Sequence, residues 1–181
     1  MASSIVLLDA CVLINLLASG EIEAILRVTE QEFKICTAVE KESFYLRADD
    51  PQEQSFDSVQ LDPLVKSGVL SVCAIESEVE GTLYVDYASQ LDDGEAMSIA
   101  IAEARGYLLA TDDRKARRIF LESTAAPGRL ISTSDLVRSW AERQAISLDK
   151  LKAMLLSIQH RASFIPPRSD AHLQWWRDSC C

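Results

Sequence analysis

The chain has 181 residues, of which 48% are apolar and 25% charged, with little glycine or proline. That composition fits one globular domain with a sizeable core and excludes a disordered or fibrous chain. The formal charge of −10 excludes the gripping of nucleic acid through a broad basic surface. A phosphate-bearing partner has to be met locally, by a few Lys and Arg or through a bound cation.

The opening, MASSIVLLDACVLINLLASGE, is apolar but does not read as a signal peptide. No positive charge precedes the apolar run, and Asp9 lies inside it. Asp9 and Asn15 also interrupt a stretch already short for a bilayer, so no membrane span is expected. A cytoplasmic protein with reduced thiols follows, and its five cysteines form no zinc pattern. Cys11, Cys36 and Cys73 sit in apolar segments and read as core. His160 and His172 are isolated and read as surface or packing residues.

Taken in chain order, short β-rich runs alternate with helical patterns. Residues 4–9 read as a first strand, apolar on both faces, and 11–29 as helix with a break near Gly20. Residues 33–38 read as a second strand and VEKESFYLRA (39–48) as helix. A third strand covers 69–75, after Gly68. Helices follow over 77–91 and 93–106, the second being the clearest in the chain. YLLAT (107–111) is a fourth strand, 113–123 a helix, APG a turn and RLIST (129–133) a short fifth strand. Helices over 134–145 and 147–160 complete the body. There is no internal repeat. This alternation predicts an α/β fold with a parallel sheet of four to five strands covered on both faces. In such sheets functional groups gather at the carboxyl ends of strands, near a topological switch point.

Acids stand at those ends. Asp9 closes the first strand, and Asp112 and Asp113 close the fourth. Glu42 follows the second strand, and Glu95 lies in the first turn of the helix before the fourth. If the first and fourth strands are neighbours, these acids converge on one edge. Convergence without a counter-charge is costly, and a hard divalent cation, which prefers oxygen ligands, removes that cost. Each acid has a plainer role too. Asp92 or Asp93 can cap the helix that Glu95 opens. Asp112 can cap the next helix while Asp113 pairs with Arg117. Glu42 can be a solvated helix residue beside Glu40. Asp9, inside an apolar run, is the hardest to explain in this way.

VLLDACVLINL, ICTAVEKES, LDDGEAMSIAIAEARGYLLATDD and RKARRIF together resemble the PIN domain over about residues 4–145. The family comprises metal-dependent ribonucleases, many of them toxins of toxin–antitoxin pairs. The resemblance implies a three-layer α/β/α sandwich with a central parallel sheet. It implies catalytic, metal-holding acids at Asp9, Glu42, Glu95 and Asp113, with Asp112 as a substitute, around one or two Mg²⁺ or Mn²⁺ ions. Thr111 matches the family's hydroxyl before the last acid. Arg114, Lys115, Arg117 and Arg118 are candidates for the RNA backbone, and equally for a solvated basic helix face. The implied reaction is metal-assisted hydrolysis of an RNA phosphodiester. An antitoxin partner and a homodimer are expected on the same basis. The chain departs from many relatives at Ala10 and Cys11, where they carry a hydroxyl and then a small polar residue.

The domain expected is 1–145, with 146–181 a helical extension that packs on the body or on a partner. Leu148, Leu151, Leu155 and Ile158 form one apolar stripe of that extension. The tail HLQWWRDSCC carries paired tryptophans, Trp175 and Trp176, which read as self-packing or a partner contact. Two other readings compete. A non-catalytic PIN-like module that binds RNA or protein fits the departures at Ala10 and Cys11, but a dead site has no need of mutually repelling acids. A different Mg²⁺-dependent phosphotransfer enzyme would need a motif such as Asp-x-Asp, which DAC does not supply. With no GxxxxGK[ST] and no GxGxxG, nucleotide-cofactor enzymes are disfavoured.

Overall fold

The structure, a computed structural model, describes residues 4–50 and 52–181. In chain order its elements begin with β1 (Ile5–Leu8), α1 (Ala10–Ala18), α2 (Ile22–Arg27), β2 (Glu32–Cys36), α3 (Thr37–Glu40) and β3 (Phe44–Arg47). There follow β4 (Phe56–Val59), α4 (Asp62–Lys66), β5 (Leu70–Cys73), α5 (Glu78–Ala88), α6 (Asp93–Arg105) and β6 (Leu108–Ala110). The last are α7 (Arg114–Thr124), a 3₁₀ turn at Pro127–Arg129, β7 (Leu130–Ile131), α8 (Thr133–Arg143), α9 (Leu148–Arg161) and α10 (Leu173–Cys180). The chain divides into two compact units. One takes the segment up to Val12, Glu30–Glu42 and Leu61–Ser132; the other takes Leu13–Thr29, Ser43–Gln60 and Thr133–Cys181.

The first unit is built on a five-stranded sheet in the order β5-β2-β1-β6-β7. Every neighbouring pair is parallel. The central strands are short continuous apolar runs, and Val6, Leu7, Leu8, Ile35 and Leu109 are all buried, as strands covered on both faces must be. Flanking helices complete the α/β class expected from the sequence. Helix α6 packs on β1, β2 and β6. Its buried Ala96, Ala100 and Ala102 keep the helix surface low and allow a close approach to the sheet. Gly106, in the left-handed region (φ 71°), ends the helix and turns the chain into β6.

The order of the strands carries the functional consequence. From β1 the chain moves outward through β2 to β5, then returns to the other side of β1 for β6 and β7. The switch point therefore lies between β1 and β6, and Leu8 is in register with Ala110. The next residue on each strand is Asp9 on one side and Thr111 on the other, at the carboxyl edge where α/β folds place their ligands.

Several local readings are corrected. The helix expected over 39–48 is α3 ending at Glu40, followed by strand β3. Phe44 and Leu46 are buried while Tyr45 and Arg47 face solvent, a period of two that belongs to a strand. In the second unit β3 pairs antiparallel with β4, Phe44 opposite Val59 and Arg47 opposite Phe56. The break expected near Gly20 in the 11–29 segment is found: Gly20, at φ 70°, separates α1 from α2. The fifth strand shrinks to two residues because Pro127–Arg129 forms a 3₁₀ turn before it and α8 starts at Thr133.

In the second unit Leu151, Leu155 and Ile158 are buried as the stripe predicts, joined by Met154, but Leu148 is 75% exposed at the start of α9. Trp176 is fully buried and meets Phe164 edge-on with ring centroids 5.7 Å apart, so this half of the tryptophan pair packs on the chain itself. His172 bonds Asp135 at 2.8 Å and Arg138 at 3.0 Å, a packing role of the kind expected. Among the described residues no helix is long and apolar enough to cross a membrane.

Candidate functional site

Asp9 leaves β1 just where the ladder to β6 ends, and its own N–H donates to the Ala110 carbonyl at 2.9 Å. The carboxylate is almost wholly buried, at 2% exposure. The Thr111 hydroxyl donates to Oδ2 at 2.8 Å, the Cys11 thiol to the same oxygen at 3.2 Å, and the Ala10 N–H to Oδ1 at 2.8 Å. These bonds favour the ionised acid, yet burial outweighs them and holds its pKa above the usual carboxylate range, with the charge of Asp92 adding to the rise. Thr111 is itself buried and its hydroxyl also accepts from the Asp113 N–H at 3.2 Å. One residue thus ties the end of β1 to the start of α7.

Cys11, expected in the core, is instead half-buried at this edge. Its sulfur accepts from the Asp112 N–H at 3.3 Å and lies 3.5 Å from the Thr111 hydroxyl. Burial, with Asp9 and Asp112 nearby, pushes the thiol well above its ordinary range. It therefore acts as a weak donor to Asp9, not as a thiolate ligand. The sequence alone gave Cys11 no such role; its place two residues after Asp9 was the available signal.

Glu95 and Glu42 reach the same edge from other elements. Asp92 is the N-cap of α6, accepting from the Glu95 N–H at 2.9 Å; of the two caps the sequence allowed, this is the one formed. Glu95 is half-buried in the first turn. Its pKa is pushed up to about 7, by burial first and then by Asp92, Asp113 and Asp9. Glu42 follows α3 in a bend, not in the helix expected of it. Partial desolvation, then Asp92 and Asp9, raise it to about 6. A Cβ on Gly94 would lie 2.5 Å from Glu42 Oε1 and 3.2 Å from Val39 Cγ2. Glycine at this position lets the Glu42 side chain lie against the first turn of α6, a packing requirement that no local pattern reveals.

At the far side Asp113, not Asp112, caps α7: its Oδ1 accepts from the N–H groups of Lys115 at 2.7 Å and Ala116 at 2.8 Å. Arg117 does not pair with it as the plainer reading had it. Its guanidinium donates to the Thr111 carbonyl at 2.8 Å and the Ile131 carbonyl at 3.4 Å, bracing the ends of β6 and β7. The Lys115 ammonium bonds the Gln90 carbonyl. Arg118 is exposed near Glu122 at 3.9 Å, and Arg114 is exposed at the head of α7.

Chemically the edge is rich in oxygen donors. Carboxylates and a hydroxyl are the donors, the one thiol stays protonated, and the charged neighbours that shift Asp9, Glu42 and Glu95 are all acids. Such a donor set suits a hard divalent cation and not a soft one. The acids bear on one region without forming a finished cage: among the described residues no three His, Cys, Asp or Glu are arranged to hold a metal ion.

A family model described as a PIN domain matches residues 5–169. The chain belongs to the PIN-domain family. The match runs beyond the 4–145 of the resemblance and takes in α9 as well. No curated protein and no solved structure matches the chain. Membership makes it a nuclease-like protein of a family that typically uses divalent metal ions.

Proposed function

We propose that this PIN domain is a ribonuclease that hydrolyses RNA phosphodiester bonds with Mg²⁺ or Mn²⁺ held by Asp9, Glu42, Glu95 and Asp113. The observation that supports it most is Asp9: an acid buried at the switch point, oriented by Thr111 and Cys11, with the charge of Asp92 adding to the rise in its pKa. A cation bound there supplies Lewis-acid stabilisation of the phosphodiester and lowers the pKa of water for in-line attack. Thr111 fixes the Asp9 carboxylate. Asp113 gives Oδ1 to the α7 cap, which leaves Oδ2 as its ligand atom, with Asp112 beside it. Arg114 is the best placed of the four basic residues for the RNA backbone, since Lys115 and Arg117 bond backbone carbonyls. The cation also answers how so acidic a chain meets RNA, by standing between two negative partners. In the cell the role proposed is the toxin of a toxin–antitoxin pair in the cytoplasm, which the family resemblance supports.

The test is cleavage of a mixed RNA pool by wild type and Asp9→Asn with Mn²⁺, with Mg²⁺ and with chelator. Metal-dependent cleavage that the variant lacks is the expected result. Equal cleavage by both overturns the site. The lack of a ready-made metal cage favours a second reading, a non-catalytic module that binds RNA or protein. Absence of cleavage together with absence of metal binding would establish it.

A further inference from the structure

Beside the acid edge, in the same unit, residues of α3 and the bend after it, α5 and the start of α6 line an open pocket of about 600 Å³. That volume lies within the range of small-molecule sites. Its surfaces are of two kinds. Tyr84, Ala38 and Met97 are its apolar and aromatic lining residues. The Tyr84 hydroxyl donates to Asp93 Oδ1 at 3.1 Å, which fixes the ring's orientation. The lining also includes Glu42, Asp92 and Asp93, with Lys41 as its one cation.

That chemistry selects the occupant. A phosphate is repelled by three acids against one lysine. A flat, neutral ring stacks on tyrosine, and carboxylates, which only accept, bond a ring that carries an amino group. Adenine, cytosine and guanine carry one; uracil presents two carbonyl oxygens and a single N–H. The pocket is also continuous with the acid edge, because Glu42 and Asp92 line it and both bear on the acids there. A base seated in it keeps its sugar and phosphate at that edge.

We propose that this pocket holds the base of the nucleotide next to the cleaved phosphate, stacked on Tyr84, and that it favours amino-bearing bases over uracil. The position relative to the phosphate rests on the ribonuclease reading; the binding of a base does not. Free nucleosides separate the two, since they need neither metal nor hydrolysis. Saturation-transfer NMR with cytidine, adenosine and uridine in chelator should show cytidine and adenosine binding wild type about tenfold more tightly than uridine. Tyr84→Ala should weaken them about tenfold or more, while Tyr84→Phe, which keeps the ring, retains most of the affinity. Matching thermal melts guard against a misfolded variant.

The proposal is overturned by no nucleoside binding, by equal binding of cytidine and uridine, or by Tyr84→Ala binding as wild type does. Free arginine bound in place of nucleosides also overturns it, in favour of a cationic protein partner. A nuclease that fails to cleave RNA shows itself separately in the cleavage assay.

Discussion

The sheet unit contains two sets of acids treated in opposite ways. Glu80 is buried, its side chain 5% exposed, and it receives Arg105 through Nε at 2.7 Å and Nη2 at 3.0 Å. The Glu76 N–H adds a bond at 2.7 Å. Arg105 holds that carboxyl down at about 2. Among the described residues no ion pair forms at Asp9, Glu42 or Glu95, and burial with neighbouring acids pushes all three upward. One set is a finished structural ion pair; the other is short of positive charge. The same unit can supply an arginine where an acid serves the fold. At the carboxyl edge of β1 and β6 the nearby arginine, Arg117, bonds the Thr111 and Ile131 carbonyls, and the proposed cation is what would meet the acids there.

The contrast can be broken most forcefully at its structural end. Arg105→Met leaves Glu80 buried without its partner, which should cost about 3–5 kcal/mol and lower the melting temperature by about 10 °C. Added Mn²⁺ should not restore it. Because the folded-state pKa of Glu80 is depressed, the pair's contribution is present above about pH 4.5 and is lost as pH falls toward 2. The variant should lack that acid-dependent loss in urea melts across pH.

Glu95→Gln should show the opposite sign. The raised pKa of Glu95 means that protonation favours the folded protein. Without metal, stability therefore declines as pH rises from about 4.5 through about 7. In chelator the variant should match wild type near pH 5 and exceed it at pH 8, with the Asp92 cap intact. Its Mn²⁺ affinity should fall roughly tenfold or more. Wild type and variant melting alike at both pH values would break the contrast.

Gly94→Ala is the gentler probe. The new methyl displaces the flexible Glu42 carboxylate, the nearest atom in its way, while helix propensity changes stability by no more than about 1 kcal/mol. Melts close to wild type with Mn²⁺ binding weakened a few-fold are expected. Unchanged binding would remove Glu42 from the ligand set.

The parallel sheet was legible because its strands are continuous apolar runs separated by helical periods, and the acids because each closes a strand or opens a helix. What was not legible depended on distant partners. SFYLR carries a period of two too short to outweigh the helical pattern before it, and its partner β4 is mostly exposed and shows no alternation. Cys11 looks like any small apolar residue until β6 brings Thr111 and Asp112 beside it. Gly94 looks like an ordinary first-turn residue until Glu42 arrives from the end of α3. The choice of Asp113 over Asp112 as the α7 cap is a matter of backbone direction at a strand end, where adjacent aspartates are equivalent in sequence.

The assignment of a cation site to the β1–β6 edge is tested most directly by melting wild type and Asp9→Asn at pH 7.5 across a Mn²⁺ titration. A site that binds the folded state alone should stabilise wild type by about 2.7 kcal/mol at a hundredfold excess over Kd, a rise of several degrees, and the variant should gain almost none of it. A wild-type melting temperature indifferent to Mn²⁺, or an equal rise in both proteins, would contradict the assignment.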